Sequence, residues 1–248
     1  MNLILLEERD RVDAERVTLT GARAAHLLGV LRVTPGQTVR LGLLDGPLGA
    51  GIVEAAGDGQ VTMRCAFEEE APSRPRIDVM LALPRPKVMR RLWPQLAALG
   101  VGHIILTNAE RVERHYFDTH ILSESTYRPL LIEGLQQARD TRLPIVSIHR
   151  QFRILVEDHL GDVPGPSGIR LVADPRAPIS IASALEGSRP KRVLIAIGPE
   201  GGWNAFELSL LDAHDFHAVG MGPRTLRVDT ACVALLSIAY SVITSSTR

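Results

Sequence analysis

A two-part α/β protein is what this sequence of 248 residues predicts, a small β-barrel followed by a mostly parallel sheet covered by helices. Three observations carry that expectation. Short strand-like pieces separated by turns fill the N-terminal quarter. A charged, proline-bearing stretch follows. Beyond it, strand-length apolar runs alternate with helix-length segments, the pattern of parallel βαβ units.

In the first part, residues 3–6, 37–41, 51–55 and 61–65 have strand length and composition. Asp45-Gly46-Pro47 and Gly57-Asp58-Gly59 read as turns between them, and residues 21–31 as one interrupting helix. Glu68-Glu69-Glu70-Ala71-Pro72-Ser73-Arg74-Pro75 reads as a linker, which places the boundary between domains 1–72 and 73–248. In the second part, residues 77–83, 103–107, 145–149, 169–173, 193–197 and 218–221 read as strands. Residues 88–99, 125–138, 152–159, 205–213 and 231–243 read as helices. In such sheets ligands sit at the carboxyl ends of the strands, so the residues just after each strand are where chemistry is expected.

Composition narrows the class. Apolar residues make up 45% and charged residues 23%, the ordinary globular balance. The 28 basic residues match 28 acidic ones, which argues against a protein that simply coats nucleic acid. Locally the balance breaks: six basic residues stand between Arg74 and Arg91 against Asp78 alone. Arg139, Arg142, Arg150 and Arg153 form a second cluster. Solvated faces and phosphate-contacting faces both fit. Cys65 and Cys232 are far apart and lack ligand-spaced neighbours, so neither a disulfide framework nor a metal site is expected. Residues 1–6 lack the basic flank of a signal peptide, and the apolar run 231–243, broken by Ser237 and Ser241, falls short of a membrane span. The expectation is a cytoplasmic protein with no membrane association.

Two turns carry chemistry. The strand 193–197 runs into Gly198-Pro199-Glu200-Gly201-Gly202-Trp203-Asn204, where glycines let backbone approach a ligand and Asn204 with Glu207 makes a helix start. A ligand-free strand-to-helix turn fits those glycines equally well. The patterns GxxxxGK[ST] and, after a strand, GxGxxG are absent, which removes P-loop and ordinary dinucleotide sites. The second turn, Gly220-Met221-Gly222-Pro223-Arg224-Thr225-Leu226-Arg227-Val228-Asp229-Thr230-Ala231, feeds the last helix. Its arginines and carboxylate serve either a ligand or a helix-capping ion pair.

Together and in this order, the two turns resemble the SPOUT superfamily of knotted methyltransferases, and within it the RsmE-type 16S rRNA uridine-N3 enzymes, whose turns read GPEGG and LR-x-E-TA. Asp229 stands where Glu is commoner. Looser likenesses lie upstream. Residues 26–32 with Pro35-Gly36 resemble the family's H-x-x-x-VLR segment, Leu83-Pro84-Arg85-Pro86-Lys87 with Leu99-Gly100-Val101 its LP-K…ELGV segment, and Glu110-Arg111 its TER segment. Ala98 replaces the family's acidic residue, and Ala138, Arg139 and Asp140 replace a Ser-Gly-Arg ending.

The resemblance implies a trefoil-knotted SPOUT domain behind a PUA-like RNA-binding barrel. It implies S-adenosyl-L-methionine (SAM) as cofactor, no metal, homodimerisation through the apolar helix 231–243, and 16S rRNA within the small subunit as substrate. The expected cofactor contacts are Ile197, Gly198, Pro199, Glu200 and Gly201 from the first turn, and Gly220, Met221, Leu226, Arg227, Val228, Thr230 and Ala231 from the second. Ala173 and Asp174 join them from the preceding strand end.

Uridine N3 must lose its imide proton before it attacks a sulfonium methyl, so fixed cations that stabilise charge on the uracil oxygens are needed. Arg227 is the first candidate, with Asp229 to orient it or relay the proton and Arg224 as second choice. Arg32, Arg85 and Lys87 are candidate RNA contacts. Methylation of another RNA position, such as a ribose hydroxyl or a transfer RNA base, and a non-catalytic RNA-binding assembly factor remain alternatives.

Overall fold

A computed structural model describes residues 3–13, 15–161, 168–187, 190–222 and 224–245. Met1 and Asn2 of the N-terminal reading and Pro223 of the second turn lie outside them. The chain forms two compact units, residues 1–74 with 135–143, and residues 75–134 with 144–248.

The first unit carries β1 (Ile4–Leu6), β2 (Arg16–Leu19), α1 (Gly21–Gly29), β3 (Thr38–Leu43), β4 (Leu48–Gly57) and β5 (Gln60–Phe67). Its five-stranded sheet runs β1-β3-β4-β5-β2, antiparallel except for the β1–β3 pair. Period-two alternation sends Val17 and Leu19, Val39 and Leu41, Val53, and Val61 and Met63 to one side. There they meet Ile4, Leu6 and the helix residues Ala24 and Leu27 in one cluster, the filled interior of a curled, barrel-like sheet.

Strand β2 has no counterpart in the sequence reading, because its four residues alternate too briefly to stand out from charged neighbours. Residues 135–143 join this unit through hydrogen bonds that no local pattern announces. Leu3 N–H donates to the Gln136 carbonyl, Asp45 N–H to the Thr141 carbonyl, and Thr141 Oγ1 to the Gly46 carbonyl at 2.6 Å.

The second unit holds β6 (Ile77–Ala82), α2 (Pro86–Ala98), β7 (Val101–Thr107), α3 (Glu124–Ala138, whose last turn counts with the first unit), β8 (Ile145–His149) and α4 (Phe152–Ile154). After these come β9 (Ile169–Ala173), α5 (Ile181–Leu185), β10 (Val193–Ile197), α6 (Ala205–Asp212), β11 (Phe216–Val219) and α7 (Val228–Ser245). All six strands are parallel, in the order β11-β9-β10-β6-β7-β8. Strands β6, β7 and β10 are buried at every position, which is why they read as unbroken apolar runs, whereas the edge strands β8 and β11 are partly exposed.

Three expectations shift. The last strand ends at Val219 rather than at residue 221, because Phe216 pairs with Arg170 and fills the core while Gly220 leaves the ladder. The segment expected as helix 152–159 is one short α-turn continued as a π-turn over Leu155–His159. The final helix is longer than expected, 18 residues with mean hydropathy 1.6, so by length and composition alone it could span a bilayer. Here Cys232, Leu235, Leu236 and Ala239 are buried as α7 packs on α2, α5, β6 and β10.

One buried ion pair sits among the parallel strands. Asp78, 1% exposed, accepts two hydrogen bonds from Arg192 at 2.5 and 2.7 Å. Burial pushes the Asp78 carboxyl above its ordinary range, against the pull of Arg192.

Candidate cofactor and substrate site

Because β11, β9 and β10 are neighbours and parallel, the segments that follow them gather at one end of the sheet. They enclose a cleft with an interior of about 110 Å³ that opens to solvent. Eleven expected cofactor residues line it: Ala173, Asp174, Ile197, Gly198, Pro199, Glu200, Gly220, Met221, Leu226, Val228 and Ala231. Arg224 lines it too, as do Pro175, Val219, Thr225 and Leu235, which the motifs did not single out. Pro175 and Val219 flank motif residues directly, and Leu235 follows Ala231 by one helical turn. Gly201, Arg227 and Thr230 do not line it.

The first turn is held from within. Gly202, at φ +71°, closes it by donating its N–H to the Pro199 carbonyl. Asn204 and Glu207 form the reciprocal cap of α6: Asn204 Oδ1 accepts the Glu207 N–H and Glu207 returns to the Asn204 N–H, both at 2.8 Å. The buried Glu207 carboxylate also accepts the Glu110 N–H at 2.7 Å, tying the turn to the segment after β7. On the outer side, Arg111 donates to the Gly201 carbonyl, so Gly201 faces Arg111 rather than the cleft.

The second turn is anchored at Gly220, whose N–H donates to the Ile179 carbonyl and whose carbonyl accepts from Ile181 N–H. A Cβ built there would stand 3.1 Å from the Ala177 carbonyl oxygen and 3.4 Å from that of Asp174, so backbone closes around this glycine. The Asp174 carboxylate is gripped by the Arg176 guanidinium at 3.0 and 3.1 Å, which holds its pKa below the usual range.

Arg227 immediately precedes α7 and is exposed, with no side-chain partner among the described residues. Asp229 is not paired with it. Its carboxylate accepts from Arg91 of α2 at 2.6 Å, and that bond holds the carboxyl below its ordinary range. In this structure the expected partner of Asp229, Arg227, is replaced by Arg91. Arg91 was legible only as one member of a basic cluster. Arg32, Arg85 and Lys87 are all exposed, Arg32 in a left-handed conformation at φ 49°. Cys232 is fully buried, which pushes its thiol up to about 12 and removes it as a nucleophile at neutral pH.

Backbone turns gathered at the carboxyl ends of adjacent parallel strands, with aliphatic walls and Arg224 among the lining, are the class of site that α/β proteins offer to a nucleoside-like small molecule. The chain belongs to the RNA methyltransferase family: the profile described as an RNA methyltransferase domain matches residues 70–240. The RsmE-type resemblance of its two turns is borne out. The chain is 29% identical over 245 residues to ribosomal RNA small subunit methyltransferase E of Treponema pallidum, covering 97% of this chain and 91% of that one. It is 25% identical to ribosomal RNA small subunit methyltransferase E 1 of Borreliella burgdorferi, covering 99% and 98%. The fold matches the crystal structure of ribosomal RNA small subunit methyltransferase E from Neisseria gonorrhoeae bound to S-adenosyl methionine. The TM-score is 0.77 at 19% identity, with 98% of each chain covered.

Proposed function

We propose that this protein transfers a methyl group from SAM to N3 of a uridine in small-subunit 16S rRNA. The observation that carries the reading is the cleft of glycine turns, with Arg227 unpaired beside it, in a chain of the RNA methyltransferase family. The cleft suits SAM: Val219, Leu226, Val228 and Leu235 offer an aliphatic seat for a purine, and backbone around Gly198 and Gly220 offers polar edges. The interior takes only part of such a ligand, and the remainder lies in the open mouth. When bound, SAM supplies an electrophilic methyl group.

The chain's own residues supply the rest. The turns fix one reactant, and converting a bimolecular encounter into a positioned one provides much of the rate. Arg227 presents a planar, permanently charged fork with no competing carboxylate, suited to a uracil oxygen as N3 loses its proton. Arg224, on the cleft wall, is the second such donor. Arg32 and the exposed Arg85 and Lys87 contact RNA phosphates, the first from a PUA-like barrel.

We further read the chain as a homodimer. Only 33% of the α7 window is buried, and Tyr240 on it is 54% exposed, so the helix has an apolar face to spare. Incubating the protein with methyl-labelled SAM and either small-subunit rRNA or transfer RNA tests the function. Label is expected in the former alone, and label in transfer RNA alone overturns the reading.

A further inference from the structure

Beside the cofactor cleft lies a second cavity of about 330 Å³, at the lower end of the roughly 300–1,000 Å³ typical of small-molecule pockets. It shares Glu200 and Val228 with the first, so its occupant stands against the same turn and the same helix start. Arg85, Val88, Arg91, Arg227 and Asp229 complete the wall.

Of the two carboxylates on this wall, only Asp229 is paired with a cation among the described residues. Glu200 Oε1 accepts the Arg85 backbone N–H at 3.4 Å, and Asp229 holds Arg91 at 2.6 Å. The guanidiniums of Arg85 and Arg227 have no side-chain partner among the described residues. Two free planar cations beside an aliphatic strip, Val88 and Val228, are the chemistry that recognises an anionic nucleotide: phosphate on a fork, base against the apolar wall.

We propose that this cavity receives the target nucleotide of the RNA, base and adjoining phosphate, and that Arg91 is a positioning residue holding the Asp229 carboxylate away from Arg227. The proposal rests on the methyltransferase reading above. Asp229 lies two residues from Arg227 at the start of α7. Released from Arg91, it becomes an uncompensated anion beside an unpaired cation, and the two attract. Arg227 would then be neutralised by its own chain rather than by substrate. The Arg91 bond at 2.6 Å prevents this by engaging the Asp229 carboxylate from α2.

The test uses the full chain in two arms. In the first, uridine 5′-monophosphate is titrated with NMR detection of backbone amides. Shifts centred on Arg85, Arg91 and Arg227, lost in Arg85→Ala, support the cavity, and shifts elsewhere or none overturn it. In the second, single-turnover methylation of small-subunit rRNA is measured at saturating RNA for Arg91→Ala, Arg91→Lys, Asp229→Asn and the Arg91→Ala/Asp229→Asn double variant.

Arg91→Ala is expected to slow the step about 10- to 100-fold with SAM affinity unchanged, and Arg91→Lys to retain most of the rate. The double variant should recover most of it, because the competing carboxylate is gone. A merely structural ion pair predicts no such recovery. An Arg91→Ala rate equal to wild type, or a double variant no faster than Arg91→Ala, overturns the positioning role. If wild-type protein binds SAM yet methylates no RNA, the enzymatic reading fails, while the nucleotide titration still decides the cavity.

Discussion

Replacing Gly220 by valine tests the cofactor cleft where its walls are stiffest. Gly220 is buried and its φ lies outside the left-handed region, so a β-branched residue can adopt its backbone. The new Cβ would stand 3.1 Å from the Ala177 carbonyl oxygen and 3.4 Å from that of Asp174, tight contacts with backbone that yields little. Relieving those contacts displaces the turn, and with it the cleft wall that Gly220 and Asp174 form. Overpacking of this size costs about 1–3 kcal/mol, which as lost SAM affinity is about 5- to 150-fold in Kd.

Gly201 provides the internal control. A Cβ there would meet Arg111 Cδ at 2.7 Å, the flexible part of an exposed side chain that can swing away. Gly201→Val is therefore expected to leave SAM affinity within about twofold. Isothermal calorimetry with SAM on both variants, each checked for an intact thermal transition, gives the comparison. A folded Gly220→Val protein with wild-type affinity, or a larger loss at Gly201 than at Gly220, refutes the placement of the cofactor.

Further outcomes are expected. Arg227→Ala should slow single-turnover methylation about 10²- to 10³-fold while SAM affinity stays within a few-fold, and equal losses in both would mark Arg227 as structural. Asp78→Ala strands the Arg192 guanidinium. Breaking a buried pair costs about 3–5 kcal/mol, but Arg192 keeps 22% of its side chain exposed, so about 2–4 kcal/mol is expected, or 5–15 °C in Tm by calorimetry. Arg85→Glu with Lys87→Glu should weaken RNA binding and flatten its salt dependence without changing SAM affinity, as read by filter binding across a salt series. Tyr240→Glu should shift the protein toward monomer in sedimentation if α7 is the dimer face.

The sequence made the backbone part of this site legible and left its ion pairs hidden. Glycines announce turns because few other residues tolerate close approach, so Gly198 and Gly220 marked the cleft before any geometry, whereas Gly201, marked with them, faces Arg111. The Asn204–Glu207 cap was equally readable, being local. The end of β11 was misplaced because Gly220 and Met221 continue its apolar composition, and only pairing with β9 shows the ladder stopping at Val219.

Arg91 and Asp229 lie 138 residues apart, so no local pattern could show that the carboxylate beside Arg227 is taken. Residues 135–143 join the first unit through backbone bonds to Leu3 and Asp45, which leave no trace in periodicity or charge.

The most direct measurement is mass spectrometry of nucleosides from unmodified small-subunit rRNA after treatment with the purified protein and SAM. One new N3-methyluridine per RNA, absent with Arg227→Ala, is the expected result. A methyl group on a ribose hydroxyl or on another base, or no methyl group despite SAM binding, would contradict the account.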